Sequence, residues 1–141
     1  MNGPTVSGPA APLVAVDEID VISPHEVTGR KFVRADDPYL EGHYPGFTIY
    51  PGIFVIESIS QSVAGLVART WEDRAGLEPA GITSVRFTAP VRPGDTLLAH
   101  CQVSYPGDDL VQVRAECRNQ RGVKTATARL EFRLTEVGAD V

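Results

Sequence analysis

Apolar and polar residues alternate cleanly through the second half of the chain. Leu97, Ala99, Cys101 and Val103 share one face, opposite Thr96, His100, Gln102 and Ser104. Val111, Val113, Ala115 and Cys117 oppose Gln112, Arg114, Glu116 and Arg118. Ala126, Ala128, Leu130, Phe132 and Leu134 oppose Thr127, Arg129, Glu131 and Arg133. A period of two predicts half-buried strands, here over 95–105, 110–119 and 123–135, with a further strand over 82–90. Pro93-Gly94-Asp95, Pro106-Gly107-Asp108 and Gln120-Arg121-Gly122 supply the turns. Upstream, Leu13 to Ile22 and Glu26 to Ala35 predict two more strands, joined by a turn at Pro24 and His25.

The period changes after Pro51, which suits the first turn of a helix because its missing N–H would have no partner there. From Ile53 to about Arg74 no proline intervenes, and Gly76 and Pro79 close the segment. At 100° per residue its polar side is narrow: Ser58, Ser62, Gly65 and Arg69. Nearly everything else is apolar, the pattern of a helix wrapped by other structure. The expected fold is α+β, an antiparallel sheet with one apolar face wrapped around one long central helix.

The 141 residues fit a single domain, placed at 12–136. A Gly/Pro/Ala-rich tail over 1–11 precedes it and a short tail over 137–141 follows. A net charge of −5 argues against a nucleic-acid partner. Cys101 and Cys117, the only cysteines, fall in apolar slots and read as buried thiols of a reducing compartment. The first basic residue is Arg30 and the longest apolar run, near Ile53–Ile56, is short. No leader or membrane span is expected, and the location expected is cytoplasmic. No metal-ligand spacing, P-loop, dinucleotide fingerprint or nucleophile elbow occurs.

Chemistry concentrates in one stretch. Gly42-His43-Tyr44-Pro45-Gly46 holds an imidazole in a constrained loop, and 14 positions later Glu57 places a carboxyl inside the apolar helix. Glu57 lies well off the Ser58/Ser62/Gly65/Arg69 stripe, so its carboxyl would be desolvated, which favours the neutral, proton-donating form. One such pair can remove a proton and deliver another. Gly52, opening the helix, offers a backbone N–H where negative charge would develop. Gln61, one turn beyond Glu57, is placed to hydrogen-bond its carboxyl. His25 and His100 read as incidental surface residues.

These residues resemble the β-hydroxyacyl-[acyl-carrier-protein] dehydratases of bacterial fatty-acid synthesis, which have the hot-dog fold. The resemblance runs from about Leu13 to Leu134, and includes Pro51-Gly52, Ile56-Glu57, Val85-Arg86-Phe87, Pro90-Val91 and Pro93-Gly94-Asp95. It implies that His43 and Glu57 are catalytic and that the Gly52 N–H binds the thioester carbonyl. It also implies an acyl carrier protein as partner, whose phosphopantetheine carries the substrate, and no other cofactor or metal. Relatives share their sites across a homodimer, often assembled as a trimer of dimers; a hetero-dimer with another hot-dog subunit is an alternative, as is a thioester hydrolase. Phe47, Tyr50 and Ser60 depart from the family, where a polar residue, methionine and alanine are usual. The aromatic pair Phe47 and Tyr50 is expected along the substrate tunnel, favouring polyketide-like or polyunsaturated chains.

Overall fold

The computed structural model describes residues 14–37 and 49–136. The two predicted tails over 1–11 and 137–141, and the segment carrying His43 and Phe47, lie outside the described residues. Six strands and one helix follow in order: β1 (Glu18–Ser23), β2 (Glu26–Phe32), α1 (Gly52–Thr70), β3 (Ala75–Phe87), β4 (Thr96–Ser104), β5 (Leu110–Arg118) and β6 (Lys124–Glu136). All neighbouring strands pair antiparallel in one sheet, in the order β1-β2-β4-β5-β6-β3. The helix packs on β1, β2, β3 and β4, so the sheet wraps it as the periodicity predicts.

The alternating faces resolve as expected. Leu97, Ala99, Cys101 and Val103 are buried, as are Val111, Val113, Ala115 and Cys117, and Ala126, Ala128, Leu130 and Phe132. Against them α1 buries Phe54, Val55, Ile59, Val63, Leu66 and Val67. Each such side chain is worth about 1.5–3 kcal/mol of transfer free energy.

The serines of the helix's polar stripe turn inward, while Arg69 in its last turn is exposed. Ser58 and Ser62 are buried, and their hydroxyls donate to the carbonyls of Phe54 (3.0 Å) and Ser58 (2.7 Å). A serine that bonds its own preceding turn presents little polarity to its surroundings, so it can face a sheet. Small size is what that face requires. A Cβ added to Gly29 of β2 would lie 1.8 Å from Ser62 Oγ, so helix and sheet meet there at the closest possible approach. The opposite side is the open one, with Ile53 and Ala64 exposed. By length and hydropathy α1 could cross a membrane, but the residues it buries against the sheet are those of a core helix.

Several boundaries differ from the expectation: β1 begins at Glu18 rather than Leu13 and β2 ends at Phe32 rather than Ala35. The helix ends at Thr70 rather than near Arg74, because Glu72 and Asp73 adopt positive φ (53° and 64°), and the Asp73 N–H closes on the Ala68 carbonyl at 2.7 Å. The following strand begins at Ala75, not 82, so Gly76 and Pro79 lie within β3. Proline is tolerated there because β3 is the edge of the sheet, and the register shifts between Pro79 and Gly81.

The turn before β4 is held by Asp95. Its Oδ2 accepts from the Arg92 N–H (2.9 Å) and its Oδ1 from Gln120 Nε2 (2.9 Å), tying this loop to the β5–β6 hairpin. The Gln120 hydrogen bond, followed by that from Arg92, holds the carboxyl below its usual range. A depressed pKa means stability that is present above the unfolded value and lost as pH falls through the folded one. Asp95→Ala is expected to destabilise by about 1–3 kcal/mol. Denaturant titrations below pH 4 should show the difference between variant and wild type shrinking.

Candidate functional site

The start of α1 is set from both sides. Pro51 is the N-cap, in extended conformation, and Gly52 is the first helical residue. The Tyr50 N–H donates to the Val91 carbonyl at 2.6 Å, locking the approach to the helix against the loop between β3 and β4. The Phe87 ring packs over Gly52 so closely that a Cβ would sit 2.8 Å from Cζ. A larger residue there would have to displace the outer end of the half-exposed Phe87 ring, and as a first-turn residue Gly52 has an N–H with no partner within the helix.

Gly52 opens onto a cleft of about 430 Å³, also lined by Tyr50, Val55, Phe87, Val91 and Thr125. Tyr50 is a core residue here, 3% exposed, with its ring edge-on to Phe54 at 5.7 Å and its hydroxyl 3.2 Å from Ser58 Oγ. Burial pushes that phenol up to about 12, so it stays neutral.

Glu57 stands five positions on, about 140° round the axis, and does not line this cleft. It is half-buried on the open side of α1. Gln61 Nε2 donates to Glu57 Oε2 at 3.1 Å, while Gln61 Oε1 accepts from the buried Ala15 N–H at 3.0 Å. The Ala15 amide can only donate, which fixes the oxygen of the Gln61 side chain and turns its NH₂ toward Glu57. The segment before β1 thus orients the carboxyl. The structure brings Glu57 and Gln61 together, sets Gly52 and Tyr50 on another wall, and leaves His43 and Phe47 outside the described residues.

Two residues escaped the periodicity. Lys31 is 3% exposed, with Nζ 3.7 Å from both Asp17 and Asp37. It ties the chain before β1 to the point from which the His43 segment departs, and its position in the alternation of β2 was the available signal. Thr125 lines the cleft, and nothing in the sequence distinguishes it. His25 Nδ1 lies 3.1 Å from the Val103 carbonyl and His100 Nε2 lies 2.6 Å from Glu26, both away from the cleft. Among the described residues no group of three or more His, Cys, Asp or Glu side chains is placed to hold a metal ion.

The profile of the ApeI-like family (ApeI dehydratase) matches residues 20–133. The 3-hydroxyacyl-[acyl-carrier-protein] dehydratase FabZ of Nitratidesulfovibrio vulgaris is 38% identical over 97 residues, 65% of this chain and 62% of that protein's length. The corresponding FabZ of Lactobacillus helveticus is 30% identical over 123 residues, 86% of this chain and 82% of that one. Among solved structures, the dehydratase heterocomplex ApeI:P from Xenorhabdus doucetiae superposes with a TM-score of 0.62 at 19% identity, covering 82% of this chain and 94% of that one. A Thermus thermophilus thioesterase superfamily member superposes at 0.66 with 15% identity, covering 83% and 85%. At those identities the structural likeness shows the fold alone.

Proposed function

This chain belongs to the ApeI-like dehydratase family, and from that premise we propose that it converts (3R)-hydroxyacyl-[acyl-carrier-protein] to the trans-2-enoyl thioester and water. His43 removes the C2 proton while the Gly52 N–H steadies the developing enolate oxygen. Glu57 protonates the departing C3 hydroxyl. Positioned acid–base groups typically contribute ~10²–10⁴-fold each, and an oxyanion donor a comparable factor. The substrate arrives on the carrier's phosphopantetheine, and the chemistry calls for no other cofactor.

The observation that carries this reading is the relay from Ala15 through Gln61 to Glu57, which orients a carboxyl on the open side of an otherwise apolar helix. Glu57 and the Gly52 cleft lie on different sides of α1. A shared site, with Glu57 of one copy serving the cleft of another, accounts for that separation. Ile49, Ile53, Val85 and Phe87, all exposed around the helix start and the β3 edge, supply the apolar surface such a pairing would cover. The assembly proposed is a homodimer, or a trimer of such dimers, with a hot-dog hetero-partner as the alternative. A cytoplasmic location, in fatty-acid or polyketide and polyene synthesis, belongs to the same proposal.

Mass spectrometry of carrier-bound 3-hydroxyacyl chains before and after incubation tests it. Loss of one water with the thioester intact is the expected result. Release of free carrier thiol would instead assign a thioester hydrolase and overturn the proposal.

A further inference from the structure

The chain just before β1 reaches Glu57 through two hydrogen bonds: the Ala15 N–H holds Gln61, and Gln61 holds Glu57. Two residues on from Ala15, Asp17 is fixed from three directions. Its N–H donates to the Arg30 carbonyl at 2.7 Å. Its Oδ2 accepts from the Phe32 N–H, also at 2.7 Å, so a side chain rather than a backbone carbonyl satisfies the last amide of β2. Its Oδ1 lies 3.7 Å from Lys31 Nζ. Three consecutive residues of β2 thus grip one residue of the incoming chain.

Donors face both Asp17 oxygens, an amide at one and an ammonium at the other, and a carboxylate accepts at both. Asparagine would turn its NH₂ toward one of those donors. Lys31 is buried on the side of β2 that also carries Val27 and Gly29, the side meeting α1 at Ser62. Its second carboxylate is Asp37, at 3.7 Å. An apolar side chain would fill that space without the desolvation that a buried ammonium costs. Packing therefore does not call for a lysine here, whereas seating the carboxylates of Asp17 and Asp37 does. Two residues of chain span about 7 Å at most, so fixing Asp17 confines the Ala15 N–H, and with it Gln61.

We propose that Asp17, seated by Lys31 and the Phe32 N–H, is a positioning residue for proton delivery by Glu57, acting through Ala15 and Gln61. This rests on the dehydratase reading, in which Glu57 protonates the departing C3 hydroxyl.

The test is a double-variant cycle on the full-length protein, with kcat and KM for a carrier-bound 3-hydroxyacyl chain and the melting temperature measured for each variant. Asp17→Ala and Gln61→Met should each lower kcat by on the order of 10–100-fold, the scale on which a displaced catalytic group loses rate, with KM held within about twofold. The double variant should be no slower than the slower single variant, because Asp17 has nothing to act on once the Gln61 amide is gone. A purely structural Asp17 would instead lower the melting temperature and leave the kcat of the folded protein unchanged. Should Asp17→Ala not fold, Asp17→Asn takes its place: it keeps an acceptor for one of the two donors, and a smaller loss in kcat with the same non-additivity is expected. Unchanged kcat in either single variant, a loss carried by KM, or a double variant whose loss is the product of the two single losses overturns the inference alone. No dehydration by the wild-type protein overturns the dehydratase reading and this inference with it.

Discussion

Glu57→Gln is expected to lower the dehydration rate by on the order of 10² or more with the fold intact. The substitution isolates the proton. A glutamine at position 57 can still accept from Gln61 Nε2, whose own orientation is set by Ala15, so geometry survives while the acidic hydrogen is gone. His43→Ala should cost a comparable factor by removing the base. Initial rates followed by mass spectrometry, with circular dichroism to verify folding, provide the measurement. Near-normal turnover in either soluble variant would eliminate the mechanism. Mixing the two inactive proteins should restore part of the activity if one site draws on two copies, and no recovery would contradict a shared site.

The second large effect concerns stability. Gly29→Ala is expected to destabilise by about 1–3 kcal/mol, because the new methyl would lie 1.8 Å from Ser62 Oγ and 2.8 Å from Val16 Cγ2. Ser62 is not free to yield, since its hydroxyl is tied to the Ser58 carbonyl. Gly65→Ala makes the instructive contrast. There the conflict is with Ile19 Cδ1 at 2.5 Å, the far end of a flexible side chain, and the next contact is at 3.8 Å. Relief by rotation of Ile19, together with a gain of up to about 1 kcal/mol in helix propensity, should leave that variant neutral or slightly stabilised. Urea midpoints at unchanged m-value would establish the order, and equal midpoints for the two variants would refute it.

Strands β4, β5 and β6 were legible because one face of each is buried and period-two alternation survives directly in the sequence. The helix was legible for the same kind of reason. Its orientation was not, because Ser58 and Ser62 read as polar while their hydroxyls bond back to the preceding turn. The start of β3 was hidden by Gly76, Pro79 and Gly81, residues that punctuate most chains but are accommodated on a sheet edge. For the site, Glu57, Gln61 and Gly52 were candidates by type and spacing, and of these the structure joins Glu57 and Gln61 by a hydrogen bond. Lys31 announced itself only as a break in alternation, and Thr125 not at all, since its bulge opposite β5 is a property of two paired strands rather than of one.

Cys101 and Cys117 sit on adjacent central strands, both free, both without exposed surface. Burial raises both thiols, that of Cys117 to about 12, so neither offers a thiolate at ordinary pH. Reagents that attack thiolates consequently have nothing to react with while β4 and β5 remain closed over α1. The pair forms a natural clock for the opening of the molecule: any labelling of this protein reads the lifetime of its closed sheet, and a ligand that tightens the closed state slows the clock without touching either sulfur.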